Sequence, residues 1–331
     1  MSEPKIPRVT IIIPNWNTQR WLPDCLDGLQ TQTYQDFHIL LVDNGSTDDS
    51  VTFVKTNYPN VEILAFDTNR GFAAAVNAGI HQSNSEYVIL LNVDTVPQPE
   101  WLKHLVETIE QSDSNIGGVA SKMLSLDDPT IIDDTGNLLS WYGSACKRGL
   151  GEAAGNYTES DEVFSISGGA SLYRRSFFDD VGYFDEEFVS YLEDVDLGLR
   201  GRLFGYRYLY APDAKILHQW SGARIPRPRY VYLCTRNRLA LLTKNIPGPL
   251  LLKHFLTLLY GQLYFFVVYK MPVQSLKGMG VFLKTLPRIL RQRRAIQTKR
   301  TISPSSLDTM LSQDLFEPSL KGIITNRVGR R

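Results

Sequence analysis

Acidic residues are missing from a long stretch of this chain. From Ala214 to Leu307 there is no Asp or Glu, while Lys and Arg number 17. Residues 1 to 213 carry 32 acids against 14 bases, so a formal net charge of zero hides two oppositely charged regions. Such segregation marks a partner with its own sign. That partner is expected to be an anionic membrane surface or a diphosphate-bearing lipid, and no nucleic acid. Cysteine is scarce too. Cys25, Cys146 and Cys234 stand singly, which argues against a disulfide framework or a zinc site and fits a reducing compartment. Met1 to Pro7 lacks the apolar core of a signal peptide, so the folded part is expected in the cytoplasm. No internal repeat is evident.

An apolar content of 43% supports a sizeable core. Apolar runs near 9–13, 37–42, 61–65, 86–91 and 116–120 predict strands, and periodic stretches near 19–32, 47–57, 71–82 and 98–111 predict helices between them. This alternation implies an α/β fold with a doubly wound, mostly parallel sheet flanked by helices. Residues 121 to 162 break the rhythm and read as a loop-rich insertion or hairpin. Val163 to Tyr173 reads as a strand, followed by helices near 174–180 and 191–204 and a strand near 206–210.

The run Tyr87 to Leu91 ends in Asn92-Val93-Asp94, placing a lone carboxylate at the strand edge where open α/β sheets bind ligands. A carboxylate there can hold a divalent metal, and the metal a diphosphate. Its bland alternative is a helix cap. Three further segments weigh against that: Val9 to Asn17, with Pro14, Asn15 and Asn17 in its turn; Phe37 to Asp48, with Asp43 and Asn44 ending its strand; and Glu193-Asp194-Val195-Asp196 in a helical pattern.

Together these motifs resemble the family 2 inverting glycosyltransferases of the GT-A fold, in their bacterial rhamnosyltransferase-like branch, over roughly residues 8 to 245. The resemblance implies that Asp43 reads the nucleobase and that Pro14 and Asn15 line the nucleoside pocket. It also implies that the loop Asn69-Arg70-Gly71, running on to Asn77, covers the donor. Asn92 and Asp94 stand where the family has an Asp-x-Asp metal motif, and Asn92 brings no charge. His218 resembles a histidine that some members add to the metal, so Mn²⁺ or Mg²⁺ is expected at Asp94 and His218. Asp194 is expected to be the general base, with Glu193 beside it, and Gly168, Gly169 and Trp220 to lie on the acceptor side. Arg236-Asn237-Arg238 resembles a branch motif, whose arginines would bind phosphate or anchor the basic region to the acidic one.

Leu250 to Tyr269 is apolar almost throughout, but Lys253, Thr257 and Gln262 trace a polar stripe, which suits a helix lying on a membrane or packed on a neighbour. Val281 to Arg300 is basic and amphipathic. The expected division is a catalytic domain at 1–229, a basic helical membrane-associating appendage at 230–300 and a weakly ordered tail at 301–331.

The resemblance therefore implies inverting transfer of a sugar from a nucleotide-diphosphate donor, dTDP-rhamnose or a UDP-hexose, to a lipid-linked or polysaccharide acceptor, and the charge pattern leads us to expect a chain peripheral to the inner face of the cell membrane. A sugar-phosphate nucleotidyltransferase would want a Gly-rich basic loop after the first strand, and Pro14-Asn15-Trp16-Asn17 is not one. A catalytically weak nucleotide-sugar-binding protein is the other rival, because the first Asp of the motif is missing.

Overall fold

In a computed structural model, residues 6–219 and 225–316 are described. Trp220 lies outside them. The strands are β1 (Val9–Asn15), β2 (Phe37–Asp43), β3 (Glu62–Ala65), β4 (Tyr87–Leu91), β5 (Thr95–Pro97), β6 (Ile116–Ser125), β7 (Ile132–Asp134), β8 (Asn137–Leu139), β9 (Ala145–Lys147), β10 (Asp161–Val163), β11 (Ala170–Arg174) and β12 (Arg207–His218). The helices are α1 (Leu22–Gln30), α2 (Ser50–Asn57), α3 (Phe72–Gln82), α4 (Trp101–Glu110), α5 (Arg175–Val181), α6 (Glu193–Leu203), α7 (Arg227–Asn245), α8 (Gly248–Lys253), α9 (Phe255–Val268), α10 (Pro272–Lys299) and α11 (Pro304–Met310).

The main sheet runs β10-β12-β6-β11-β4-β1-β2-β3. Pairings among β1, β2, β3 and β4, and between β6 and β12, are parallel; β11 lies antiparallel between β4 and β6. Successive strand residues face opposite sides. Ile11, Ile13, Ile89 and Leu91 enter the core on one face, and Ile12, Leu40, Val88 and Leu90 the core on the other. Both faces are covered, so these strands are apolar without alternation.

Three expectations change in detail. The strand near 206–210 continues to His218, with a register shift between Ala211 and Lys215 that accommodates Pro212, whose missing N–H would otherwise interrupt the ladder. The segment 163–173 is two strands, β10 and β11, because the chain leaves the sheet between them and Ser165 accepts from the Asn137 N–H instead. The expected weak order from Thr301 onward does not hold for 301–316: α11 buries Leu307, Leu311 is buried, and His254 binds Asp308 while stacking on Trp141 at 3.7 Å.

The basic helices are joined tightly to the acidic part. α7 packs along α10, and Leu241, Leu242, Ile246 and Ile296 share one core with Trp141, Phe188 and Leu199. Lys244 bonds both Asp185 (2.8 Å) and Asp196 (2.9 Å), and Arg288 reaches Asp185 at 2.7 Å. Buried ions persist only with partners of this kind. Among the described residues, no helix is long and apolar enough to cross a membrane.

Candidate active site

The C-terminal ends of β1, β2 and β4 lie side by side, which brings distant polar residues to one edge. Asn15 donates from Nδ2 to Asp43 Oδ1 at 2.8 Å, and the Ser46 N–H reaches Asp43 Oδ2 at 3.1 Å. Asn17 holds the opposite turn by accepting from the Thr47 N–H at 2.7 Å. The Asn44 side chain accepts from the Arg70 N–H and donates to the Gly71 carbonyl, and Asn69 Oδ1 accepts from the Gly71 N–H. Gly71 sits at φ 92°, where L residues are strained, and a Cβ would come within 3.0 Å of Val189. The Arg70 guanidinium lies over the Phe66 ring.

Asn92 and Asp94 follow β4. The Asn92 N–H donates to the Gly169 carbonyl at 2.8 Å, and the Gly168 N–H donates to Asp194 Oδ2 at 3.3 Å. Two adjacent glycines thus tie the Asp94 turn to the start of α6. Asp43 ends β2 and Asp94 follows β4, with β1 between the two strands, and Asp194 is joined to the same end of the sheet through the Gly168 N–H.

His218, at the end of β12, faces Asp94, its Nε2 lying 3.4 Å from Oδ1. On its far side, Nδ1 bonds Asp133 Oδ2 at 2.7 Å. Asp133 also takes an ion pair from the half-buried Lys147 at 2.7 Å. Burial alone would push the Asp133 carboxyl up, but Lys147 and His218 outweigh it and hold it well below the usual carboxylate range. His218 moves the other way. Burial would lower it, yet hydrogen bonds to Asp133 and Asp94 raise it to about 9.

This pair fits a divalent ion. With Nδ1–H held by Asp133, Nε2 would coordinate once it gives up the proton it shares with Asp94, and it points at a carboxylate oxygen. Among the described residues no three His, Cys, Asp or Glu groups converge as a complete ligand set. Any ion at Asp94 and His218 would therefore need further ligands from phosphates or water.

At the head of α6, Glu193 is buried and Asp194 half-buried. Asp194 accepts from the N–H groups of Val195 (2.8 Å) and Gly168, and from Asn137 Nδ2 at 3.4 Å. Burial nevertheless wins over these bonds and over the helix dipole, and raises its pKa. Glu193 is raised by burial and then by Asp194, and its Oε2 has no hydrogen-bond partner. Asp134 stands behind this pair. Its Oδ2 is also without a partner, and burial, helped by Asp133 and only partly opposed by Lys147, pushes it up to about 7. Asp196 takes no part: buried, it binds Arg200, Lys244 and Asn245.

Two expected ligand-binding groups are redirected. Asn77 is buried with both polar atoms committed, donating to the Phe184 carbonyl and Glu186 and accepting from the Phe184 N–H, so it braces 184–186 rather than touching a donor. Arg236 and Arg238 do not offer free guanidinium groups to phosphate. Arg236 donates to the carbonyls of Glu187 and Phe188; Arg238 is buried over the Phe265 ring at 3.7 Å and donates to the Tyr269 hydroxyl. Asn237 between them donates to the carbonyls of Phe188 (2.9 Å), Ser190 (3.0 Å) and Tyr191 (2.8 Å). The segment they clamp includes Val189, Tyr191 and Leu192, all at positive φ, and leads directly into Glu193-Asp194. Such strain persists only where surrounding contacts hold it.

Sequence reasoning passed over Asp133, Asp134, Asn137 and Lys147. The doublet of acids before Thr135-Gly136-Asn137 was the available signal, set in a region dominated by turn residues.

The sequence profile of Glycosyl transferase family 2 matches residues 10–182, a little over half of the chain. The chain belongs to this family. Its architecture is the GT-A fold. Among curated relatives, it is 26% identical to the poly-beta-1,6-N-acetyl-D-glucosamine synthase of Staphylococcus aureus over 206 residues, covering 62% of this chain and 48% of that protein. It is 36% identical over 118 residues to glycosyltransferase AglE of Haloferax volcanii, covering 34% and 39%. The chain thus spans less than half the length of these relatives. Its fold resembles S. aureus TarS 1–349 in complex with UDP-GlcNAc (TM-score 0.58, 17% identity, 88% of each chain). It also resembles mannosyltransferase PcManGT from Pyrobaculum calidifontis in complex with GDP-Man and Mn²⁺ (TM-score 0.54, 18% identity, 86% of this chain and 76% of that one).

Proposed function

We propose that this chain transfers a sugar, with inversion, from a nucleotide-diphosphate donor to a hydroxyl of a lipid-linked or polysaccharide acceptor at the cytoplasmic face of a membrane. The observation that supports the reading is that Asp43 and Asp94 stand at the same ends of β2 and β4, on either side of β1 with Asn15 bonded to Asp43, while Gly168-Gly169 joins Asn92 to Asp194.

In this reading Asp43 accepts an N–H of the nucleobase, beside Pro14 and Asn15. The loop at Asn44, Asn69, Arg70 and Gly71 closes over the donor. Asp94 and His218 would hold Mn²⁺ or Mg²⁺, an ion that neutralises charge on the leaving diphosphate; a histidine ligand favours Mn²⁺. Asn92, uncharged, offers its amide to a sugar hydroxyl or a water. Asp194 takes the acceptor proton while the hydroxyl attacks the anomeric carbon from the face opposite the diphosphate. Its burial-raised pKa makes it a stronger base than a solvated Asp. Gly168 and Gly169 would face the acceptor.

Donor choice stays within dTDP-rhamnose and UDP-hexoses. The rhamnosyltransferase-like reading rests on the Arg236-Asn237-Arg238 run, while TarS, crystallised with UDP-GlcNAc, lends weight to a UDP-hexose. The S. aureus synthase named for a polysaccharide product supports a polysaccharide acceptor. Residues 1–229 would carry the chemistry, and 230–300, basic throughout, would meet the membrane.

A thermal-shift panel of nucleotide sugars, each with and without Mn²⁺ or Mg²⁺, tests this, since ligands selective for the folded state raise its stability. One donor should shift the melt more with metal present. D194N should keep that shift while transfer falls roughly 10²–10⁴-fold, the usual worth of a general base. No shift from any nucleotide sugar, or an undiminished rate in D194N, would sink the assignment.

A further inference from the structure

The appendage carries an apolar face that nothing among the described residues covers. α9 is apolar on two sides. Its inner side, at Leu258, Gly261 and Phe265, is buried, Leu258 in the core that holds Trp141 and Phe265 in one with Val231 and Cys234 of α7; a Cβ on Gly261 would run into the Tyr142 backbone. The outer side presents Leu256 (77% exposed), Leu259 (45%), Leu263 (58%) and Val267 (70%) at helical spacing, with Leu252 (81%) leading into it from α8. Such a continuous apolar stripe on a folded surface marks an interaction site.

α10 adjoins it, the two helices lining a small cavity through Gln262, Phe266 and Met279. Along α10, exposed Leu276, Leu283 and Leu290 recur every seventh residue, each followed directly by an exposed base: Lys277, Lys284 and Arg291. The appendage cations that are paired, Lys244, Lys253 and Arg288, use Asp185, Asp196, Glu187 or Asp308. Lys277, Lys284 and Arg291 have no ion pair with any described residue.

We infer that the outer stripe of α9, together with the exposed leucine–base pairs of the adjoining α10, is the surface by which this chain docks on an anionic bilayer, with α9 lying in the plane of the membrane. The inference deepens the membrane partner proposed above and rests on it. Charge decides between occupants. A second copy laying the same face against this one would set lysine against lysine with no acid from Ala214 to Leu307 to compensate, and protein interfaces deplete lysine at their cores. Leucine-rich area bordered by Lys and Arg suits the boundary between acyl chains and anionic headgroups. Length decides the orientation. The 14 residues of α9 extend roughly 21 Å at about 1.5 Å each, short of a bilayer core of about 30 Å.

The test is vesicle flotation of the full chain, in phosphatidylglycerol with phosphatidylethanolamine and in phosphatidylcholine alone. The protein should float with the first and not the second, and raised salt should weaken it. L256E/L263E changes exposed positions only, so it should keep its melting temperature and its nucleotide-sugar thermal shift while its vesicle partition falls at least tenfold. K277Q/K284Q/R291Q should lose the preference for anionic lipid. A wild-type chain that stays unbound, or an L256E/L263E chain that floats equally well, overturns the inference. So does a solution dimer, seen by light scattering, that L256E/L263E dissociates. Because the thermal shift is read on the same samples, failure of docking with an intact shift would leave the transferase reading standing, and loss of the shift in the wild-type chain would strike that reading alone.

Discussion

Asp133 and His218, 85 residues apart, meet at 2.7 Å with the imidazole Nδ1 against the carboxylate and Nε2 turned to Asp94. A carboxylate so placed fixes both the tautomer and the ring plane of a metal-binding histidine. D133N retains a side-chain oxygen to accept Nδ1–H but loses the charge. Its dissociation constant for Mn²⁺, followed by the loss of the free-ion electron paramagnetic resonance signal, should rise about 10- to 100-fold. An unchanged affinity would remove Asp133 from any role in orienting His218.

Asn237 shares one amide among three carbonyls of the strained segment ahead of Asp194. N237A leaves those carbonyls short of donors and lets Val189, Tyr191 and Leu192 relax toward negative φ. The stability loss should be about 1–3 kcal/mol, the usual cost of unsatisfied buried groups, seen as a melting point lower by several degrees. Transfer should fall by more than the unfolded fraction explains, because the base loses its placement. A variant that melts lower but turns over normally would show that the clamp serves stability alone.

How much of this was visible in the chain itself depends on distance. Asp43 and Asp94 announce themselves because each ends an apolar run, and a buried parallel strand followed by a carboxylate is a local pattern. Asp194 and Glu193 stand out against the apolar stripe of Val195, Leu199 and Leu203. Asp133 gives no such local sign. It becomes part of the site only because β7 pairs antiparallel with β6 while β12 runs parallel on the other side of β6, a pairing set by contacts far apart in sequence. Asn77 misleads for the opposite reason: it follows the donor loop closely, but its place on α3 aims it at 184–186. Arg236 and Arg238 look like phosphate ligands until the carbonyls and rings that occupy them are known.

Gly71 closes the loop proposed to cover the donor onto the same strained segment, with its φ of 92° and Val189 at contact distance. G71A forces a side chain into a backbone region that costs about 1–3 kcal/mol. Part of that strain should be relieved by opening the Asn69-Arg70-Gly71 loop. The nucleotide-sugar thermal shift should therefore shrink in G71A even when compared at equal distance below each protein's own melt. A full shift would place the loop outside the donor site.

The pH profile tests the base directly. Burial raises the Asp194 pKa, while the Val195 and Gly168 N–H groups and Asn137 pull it back down. A carboxylate base works ionised, so kcat/KM should fall on the acid side as pH drops through that raised value, above the ordinary Asp midpoint near ~4. Asn137 supplies one of the opposing bonds, at 3.4 Å. N137A removes it, so the ionised form loses a stabilising partner and the acid limb should move further up in pH. The sign is what matters. A wild-type limb at the ordinary Asp value would mean that the base is solvated, and a limb that moves down in N137A would mean that the titrating group is not Asp194.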